Sequence, residues 1–312
     1  MNILHVIPSL DPRSGGPSRA VQGLSQKLAA RGIRVTIFST RNGREDSGID
    51  LPEFVRYEAF PSLGPKRFAF SPAFGHAVWR NVNRFDVVHI HTLWSHPVWL
   101  ASRSCQAHRI PYVIRPCGML APYCLSFSSL RKKIYGFLVE RKNLNRASAI
   151  HFTTEQEEEQ GRRFGIETRG VVIPLGVEMT DFLQLPPRGE LRKSDPALEG
   201  KKIVLYLGRI VARKGVGLLV HAFSRVAQAM KEAYLVIAGP DDEGYGGTLK
   251  RFMDQSGIAG RVAFTGYVSG REKLRLLSDA DVFCLPSYHE NFGMALVEAL
   301  AARLPVVVSD QV

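Results

Sequence analysis

Two glutamates eight positions apart, Glu290 and Glu298, stand in the segment SYHENFGMALVEALAARLPVVVSD, residues 287–310. This stretch follows an apolar, β-branched run and turns into a helical pattern near Phe292 to Met294, which places Glu290 in the loop and Glu298 inside the helix. From Gly293 to Glu298 the helix rises only about 7.5 Å, so both carboxylates can border one small ligand. The backbone N–H groups around Phe292, Gly293 and Met294 have no helical carbonyl to bond and carry the positive end of the dipole, which suits a phosphate. Acceptors beside an anion site suit sugar hydroxyls. Either glutamate alone reads equally well as a dipole-favoured or solvated residue; the pair in one loop and helix points to a ligand.

Three further segments carry polar chemistry. In YLGRIVARKG, residues 206–215, Arg209 and Lys214 fall at the carboxyl end of a strand and the start of the next helix. A planar guanidinium fork and an ammonium point charge divide the work of holding a diphosphate; two solvated loop cations are the plain alternative. In SLDPRSGGPSR, residues 9–19, Gly15 and Gly16 permit close backbone approach and Ser18 is placed to cap the first helix. The loop lacks the G-x-G-x-x-G spacing of a dinucleotide dehydrogenase, and a simple turn also accounts for it. In DVVHIHTLWSHP, residues 86–97, His89 and His91 share strand parity, with His91 at the carboxyl end where it would meet a reacting sugar. His89 reads as a core histidine. A zinc site would have to recruit His96, and no cysteine or carboxylate cluster accompanies the trio, so no metal is expected. The D-x-D at Asp279 and Asp281, and PDDEG at 240–244, read as turn residues.

The elements that must position these groups alternate. Twelve short β-branched runs, from Ile3–Ile7 to Pro305–Val308, are separated by amphipathic helical patterns such as Ser18–Ala30, Ser129–Asn145 and Met294–Ala302. That alternation predicts an α/β protein with doubly wound parallel sheets. Between Pro174 and Gly200 four prolines and mixed charge break the rhythm. The organisation expected is a first domain over 1–175, an interdomain linker over 176–200 and a second domain over 201–312. Ligands of such sheets bind at the carboxyl ends of the strands, so a cleft between facing domains is the expected site. Because no helix follows the last strand, the second domain is expected to be incomplete at its C-terminus.

Composition narrows the partners. With 312 residues, 45% of them hydrophobic and 22% charged, the chain is globular rather than disordered. Its net charge of +12 calls for an anionic partner. Residues 1–180 hold 24 Lys and Arg against 14 Asp and Glu, so nearly all the surplus belongs to the first domain. No nucleic-acid recognition motif or stacking platform accompanies it. Residues 131–146 carry six Lys and Arg against one Glu, with Leu130, Ile134, Phe137 and Leu138 at helical spacing. Such a helix can lie on an anionic membrane surface or pack with a solvated basic face. Four cysteines without C-x-x-C spacing, no cationic leader and no apolar run of about eighteen residues predict a cytoplasmic protein, peripheral at the inner face of the cell membrane.

With these residues in hand, the chain resembles the retaining family 4 glycosyltransferases, also called glycosyl transferases group 1, which have two Rossmann-like domains facing across a cleft in the GT-B fold. The resemblance rests on the Gly15-Gly16 loop, the His-x-His strand, Gly208-Arg209 with Lys214-Gly215 and, above all, E-x7-E in ENFGMALVE. It implies a hexosyltransferase-type enzyme, metal-independent and without a cofactor, that moves a sugar from a nucleotide-diphosphate donor to a hydroxyl of a saccharide or lipid-linked acceptor in polysaccharide or glycolipid biosynthesis. Arg209 and Lys214 would then hold the diphosphate, Glu298 the ribose and Glu290 the donor sugar. Gly15, Gly16, Phe292, Gly293 and Met294 would offer backbone to the donor, and His91 would stand beside the transferred sugar. A GT-B sugar-nucleotide epimerase and a non-catalytic sugar-nucleotide-binding protein are the alternatives.

Overall fold

The computed structural model describes residues 1–41, 49–65, 68–126 and 136–312, without the side chains of Phe137 and Leu138. Within the expected helix Ser129–Asn145, residues 129–135 therefore lie outside the described residues, as do Leu130 and Ile134. The chain divides into two compact units, Met1–Leu175 and Gly176–Val312.

The first unit is built on seven parallel strands: β1 Asn2–Val6, β2 Arg34–Arg41, β3 Val55–Pro61, β4 Val87–His91, β5 Tyr112–Arg115, β6 Ala149–Phe152 and β7 Gly170–Val172, in the spatial order β3-β2-β1-β4-β5-β6-β7. The order reverses at β1, whose neighbours are β2 and β4. Strand pleating sends Leu4, Val6, Val88, Ile90, Ile114, Ile150 and Phe152 to one buried face. The opposite face carries His5, His89, His91, Arg115 and His151, since His5 pairs with His89 and His91 with Arg115 in register.

The second unit repeats the plan with β8 Lys202–Leu207, β9 Ala233–Ala238, β10 Val262–Gly266, β11 Val282–Leu285 and β12 Val306–Val308, ordered β10-β9-β8-β11-β12. Every residue of β9 is buried, as a parallel strand covered on both faces requires. Here the reversal falls at β8, between β9 and β11. Crevices at such reversals are where doubly wound sheets take ligands.

One sequence expectation is corrected by packing, and one helix is added. Residues 176–200 are not a free linker: Phe182 and Leu198 are buried in the core of the second unit, and the segment forms the short helices Thr180–Leu183 and Glu190–Ser194. Its mixed charges, which resembled a solvated linker, are spent on ion pairs. Glu190 accepts from Arg271 at 3.0 Å, and Arg192 reaches both Asp279 at 3.2 Å and Asp281 at 3.1 Å. The helix Glu155–Phe164 had no apolar period to reveal it. Its ends specify it instead: Thr154 accepts from the Glu157 amide at 3.1 Å, acidic residues fill the first turn, Arg162 and Arg163 the last, and Gly165 closes it with φ of 98°.

Glu140 follows from the same packing. It is fully buried, accepts from the Trp94 amide through Oε1 at 2.8 Å, and Oε2 has no hydrogen-bond partner among the described residues. Burial pushes its carboxyl up to about 7. The folded state thus holds a proton that the unfolded chain releases near 4.5, and the associated stability is lost as pH rises from about 5 through 7. Between pH 5 and pH 8 this group alone is expected to remove about 2 kcal/mol, by the ~1.4 kcal/mol per decade of linkage. Urea unfolding of wild type and Glu140→Gln across that range checks it: the two profiles should diverge with the wild type falling faster, and parallel profiles would refute the assignment.

Candidate active site

At the reversal in the second unit, the loop after β8 meets the end of β9 on one side and the loop after β11 on the other, backbone to backbone. Gly208 donates to the Ala238 carbonyl at 2.9 Å, and the buried Tyr206 hydroxyl donates to the Arg209 carbonyl at 2.8 Å, which fixes the turn that presents Arg209. Gly239 has φ of 147°, and a Cβ there would lie 1.9 Å from the Gly208 carbonyl oxygen, so this approach needs glycine.

Gly215 does the same for Lys214. The turn Ala212–Lys214 ends on Gly215 with φ of 67°, and an added Cβ would sit 1.7 Å from the Pro286 carbonyl oxygen. The Tyr288 amide donates to the Arg213 carbonyl at 3.0 Å across the same seam. As a result Lys214 Nζ bonds Glu290 Oε1 directly, with Ser287 Oγ 3.3 Å from the same oxygen. Glu290 is itself held by its amide, which donates to the Gln311 carbonyl at 2.8 Å. Burial pulls the Lys214 ammonium below its ordinary range, and Glu290 opposes that shift.

The helix Met294–Ala301 starts beside this pair, with Gly293 as its N-cap at φ of 66°. The amides of its first turn lie beyond the reach of any helical carbonyl. Glu298, buried one turn further on, accepts from Lys273 Nζ at 2.7 Å. Lys273, from the helix Gly270–Asp279, escaped the sequence reading because nothing in its own neighbourhood marks it; only the packing of that helix brings it to Glu298. Arg209, Lys214, Glu290, Phe292, Gly293, Met294 and Glu298 thus all belong to the two loops and one helix at the β8 and β11 reversal. Two cations, two carboxylates and a helix start fit a ligand with both phosphate and hydroxyl groups.

Replacing Gly215 with alanine should dismantle this pairing. The new methyl must push the Lys214 turn away from Pro286, and misplacement by about 1 Å costs about 10²-fold in rate. Assay of Gly215→Ala against Gly247→Ala checks it, because a Cβ at Gly247 meets nothing within 4 Å. The first variant is expected to lose turnover and melt lower and the second to match wild type; equal activity in both would refute the role of the seam.

In the first unit, Gly15 has φ of 111° and is the N-cap of the helix Gly16–Ala29, and a Cβ at Gly15 or Gly16 would meet nothing within 4 Å. A ligand can therefore come close to this loop. Ser18 does not cap the helix as expected; it sits in the first turn and its hydroxyl donates to the Ser9 carbonyl at 2.9 Å, since Gly15 already holds the cap position. At the position expected to meet a sugar, the His91 ring is fully buried, with Nε2 2.9 Å from His5 Nδ1 and Nδ1 without a hydrogen-bond partner among the described residues. The partner came from β1, 86 residues away, where the His-x-His pattern gave no hint of it.

Asp279 and Asp281 are structural. Asp279 accepts from the amides of Gly189, Leu191 at 2.6 Å and Arg192 at 3.2 Å, and Asp281 from the Ile203 amide at 2.8 Å. Both carboxylates are consumed in tying residues 188–203 to the sheet.

Comparison with known proteins follows this division. Residues 15–176, just over half the chain, match the family described as glycosyl transferase 4-like domain, and residues 187–312 match glycosyl transferases group 1. An uncharacterized glycosyltransferase of Methanocaldococcus jannaschii is 26% identical over 339 residues, covering 99% of this chain and 80% of that protein. The phosphatidyl-myo-inositol mannosyltransferase of Mycobacterium leprae is 28% identical over 325 residues, covering 95% and 75%. Among solved structures, HepE of Anabaena in complex with UDP and glucose superposes with a TM-score of 0.76 at 18% identity, covering 99% and 81%. Its likeness is one of fold.

Proposed function

The chain belongs to the glycosyl transferases group 1, with a glycosyl transferase 4-like domain before it, and from this premise we propose that it moves a sugar from a nucleotide-diphosphate donor to an acceptor hydroxyl with retention at the anomeric carbon. The observation that carries this reading is the direct meeting of Lys214 and Glu290 at the β8 and β11 reversal, beside the start of the helix that bears Glu298. Sugar transfer itself is what the family does; the donor class, stereochemistry and acceptor are the steps beyond it.

The diphosphate lies against Arg209, Lys214 and the amides of Phe292, Gly293 and Met294 at the start of the helix. Glu298, oriented by Lys273, accepts from the ribose hydroxyls, and Glu290 from the donor sugar. The acceptor oxygen attacks the anomeric carbon from the side the diphosphate leaves, the C–O bond to the diphosphate breaks, and the acceptor's proton passes to a phosphate oxygen. Charge growing on the leaving group is met by fixed cations and N–H dipoles, so no metal is needed for this step. His91, with its buried ring, takes no part.

The acceptor is proposed to be lipid-linked or a saccharide, used at an anionic membrane surface. The surplus of basic residues in 1–180 supports this, as does the relative named for phosphatidyl-myo-inositol. No helix among the described residues is long and apolar enough to cross a membrane. The stereochemical claim is tested by NMR of the anomer first formed when the enzyme slowly hydrolyses its donor: retention of the donor's configuration is expected, and the opposite anomer would overturn it.

A further inference from the structure

The face of the first unit that carries histidines holds a constellation with no place in glycosyl transfer. His5 from β1, His89 and His91 from β4, and His151 from β6 point the same way. One nitrogen from each of His5, His89 and His91 lies within 4.8 Å of the others. His5 Nδ1 is 2.9 Å from His91 Nε2, and His151 Nδ1 is 3.3 Å from His89 Nε2. Two nitrogens 2.9 Å apart, each about 2.0–2.1 Å from one ion, subtend roughly 90°, an angle a distorted four-coordinate zinc site can adopt.

We propose that His5, His89 and His91 bind one zinc ion. Two observations beyond proximity support it. His5 Nε2 and His91 Nδ1 are buried with no hydrogen-bond partner among the described residues, so each of these rings keeps an unused nitrogen. His151 Nε2 is 2.9 Å from the Ile173 carbonyl oxygen and its Nδ1 is 3.3 Å from His89 Nε2, so this ring stands as an outer-shell partner of His89. A cavity of about 260 Å³ opens on His5, His89 and His151 amid Ile3, Leu28 and Val113, and gives the ion a route in. Three neutral imidazoles suit zinc by donor type. Arg115, buried on the same face, is the one adjacent cation among the described residues. It weakens the site relative to an uncharged surround, and Glu157, whose carboxylate accepts the Gly118 amide and the Thr153 hydroxyl nearby, offsets it.

The zinc reading from sequence fell short because it looked to His96 for a third ligand. His96 instead accepts from the Ser71 amide at 3.2 Å, and the missing ligand comes from a strand distant in sequence. The ion would fasten two neighbouring strands, β1 and β4, of one sheet.

The test uses the full chain stripped by chelator and titrated with zinc chloride by calorimetry and thermal melting. One ion per chain is expected, with a melting temperature that rises with zinc, and cobalt should bind with the intense visible bands of a tetrahedral site. His89→Gln, which removes a half-buried ligand at the cavity wall, should weaken binding roughly a hundred-fold, while His76→Ala, an exposed histidine, should leave it unchanged. Binding that is absent in wild type, or equally strong in His89→Gln judged folded by its melt, would overturn the proposal.

Discussion

Lys214→Met should lower kcat by about 10²–10³, the usual loss when one fixed donor to a developing charge is removed. On the proposed reading the ammonium is the point charge where the leaving diphosphate gathers charge, and its position is set twice, by the Gly215 turn against Pro286 and by Glu290. Without it Glu290 keeps only the Ser287 hydroxyl among its described side-chain partners, so the carboxylate proposed to bind the donor sugar also loses its orientation. Lys214→Arg keeps the charge but brings a planar fork into a space shaped for an ammonium, and only partial recovery is expected. Steady-state kinetics with a melting curve for each variant separates chemistry from folding. A wild-type kcat in Lys214→Met would refute the assignment.

Asp279→Ala should cost about 3–5 kcal/mol of stability, because it removes one partner of a buried charge network and leaves the other uncompensated. The carboxylate is fully buried and takes three backbone amides as well as the Arg192 guanidinium. Its loss strands those donors and frees the segment that buries Phe182 and Leu198. Against a typical domain stability of about 5–15 kcal/mol this is a large fraction. Asp281→Ala should cost less, since its carboxylate is 22% exposed and water can replace part of what it supplies. Urea unfolding followed by a probe in the second unit measures both; a shift under about 1 kcal/mol for Asp279→Ala would contradict the clamp.

The local signals reached far in this chain. The twelve strands among the described residues fall within a residue or two of their expected bounds, because short β-branched runs between helical patterns have few other uses in an α/β protein. Lys214 and Glu290, 76 residues apart, were legible as separate loop residues, and their contact needed the strand order that puts β11 beside β8. What stayed hidden depended on partners. Glu155–Phe164 is polar throughout and is held by its caps. Residues 176–200 have the composition of a linker, yet Asp279 and Asp281 from another element bind their amides and arginines. His91 looked available at a strand end until His5 was placed next to it. In each case the residue type was visible and its neighbour was not.

The most direct test of the proposed chemistry is a binding panel of uridine, guanosine and adenosine diphosphate sugars against wild type and Lys214→Met, read by calorimetry. One donor class should bind the wild type, and the same donor should bind Lys214→Met at least ten-fold more weakly while Gly247→Ala is unaffected. Absence of binding by every nucleotide sugar, or affinity indifferent to Lys214, would contradict a diphosphate site at the β8 and β11 reversal.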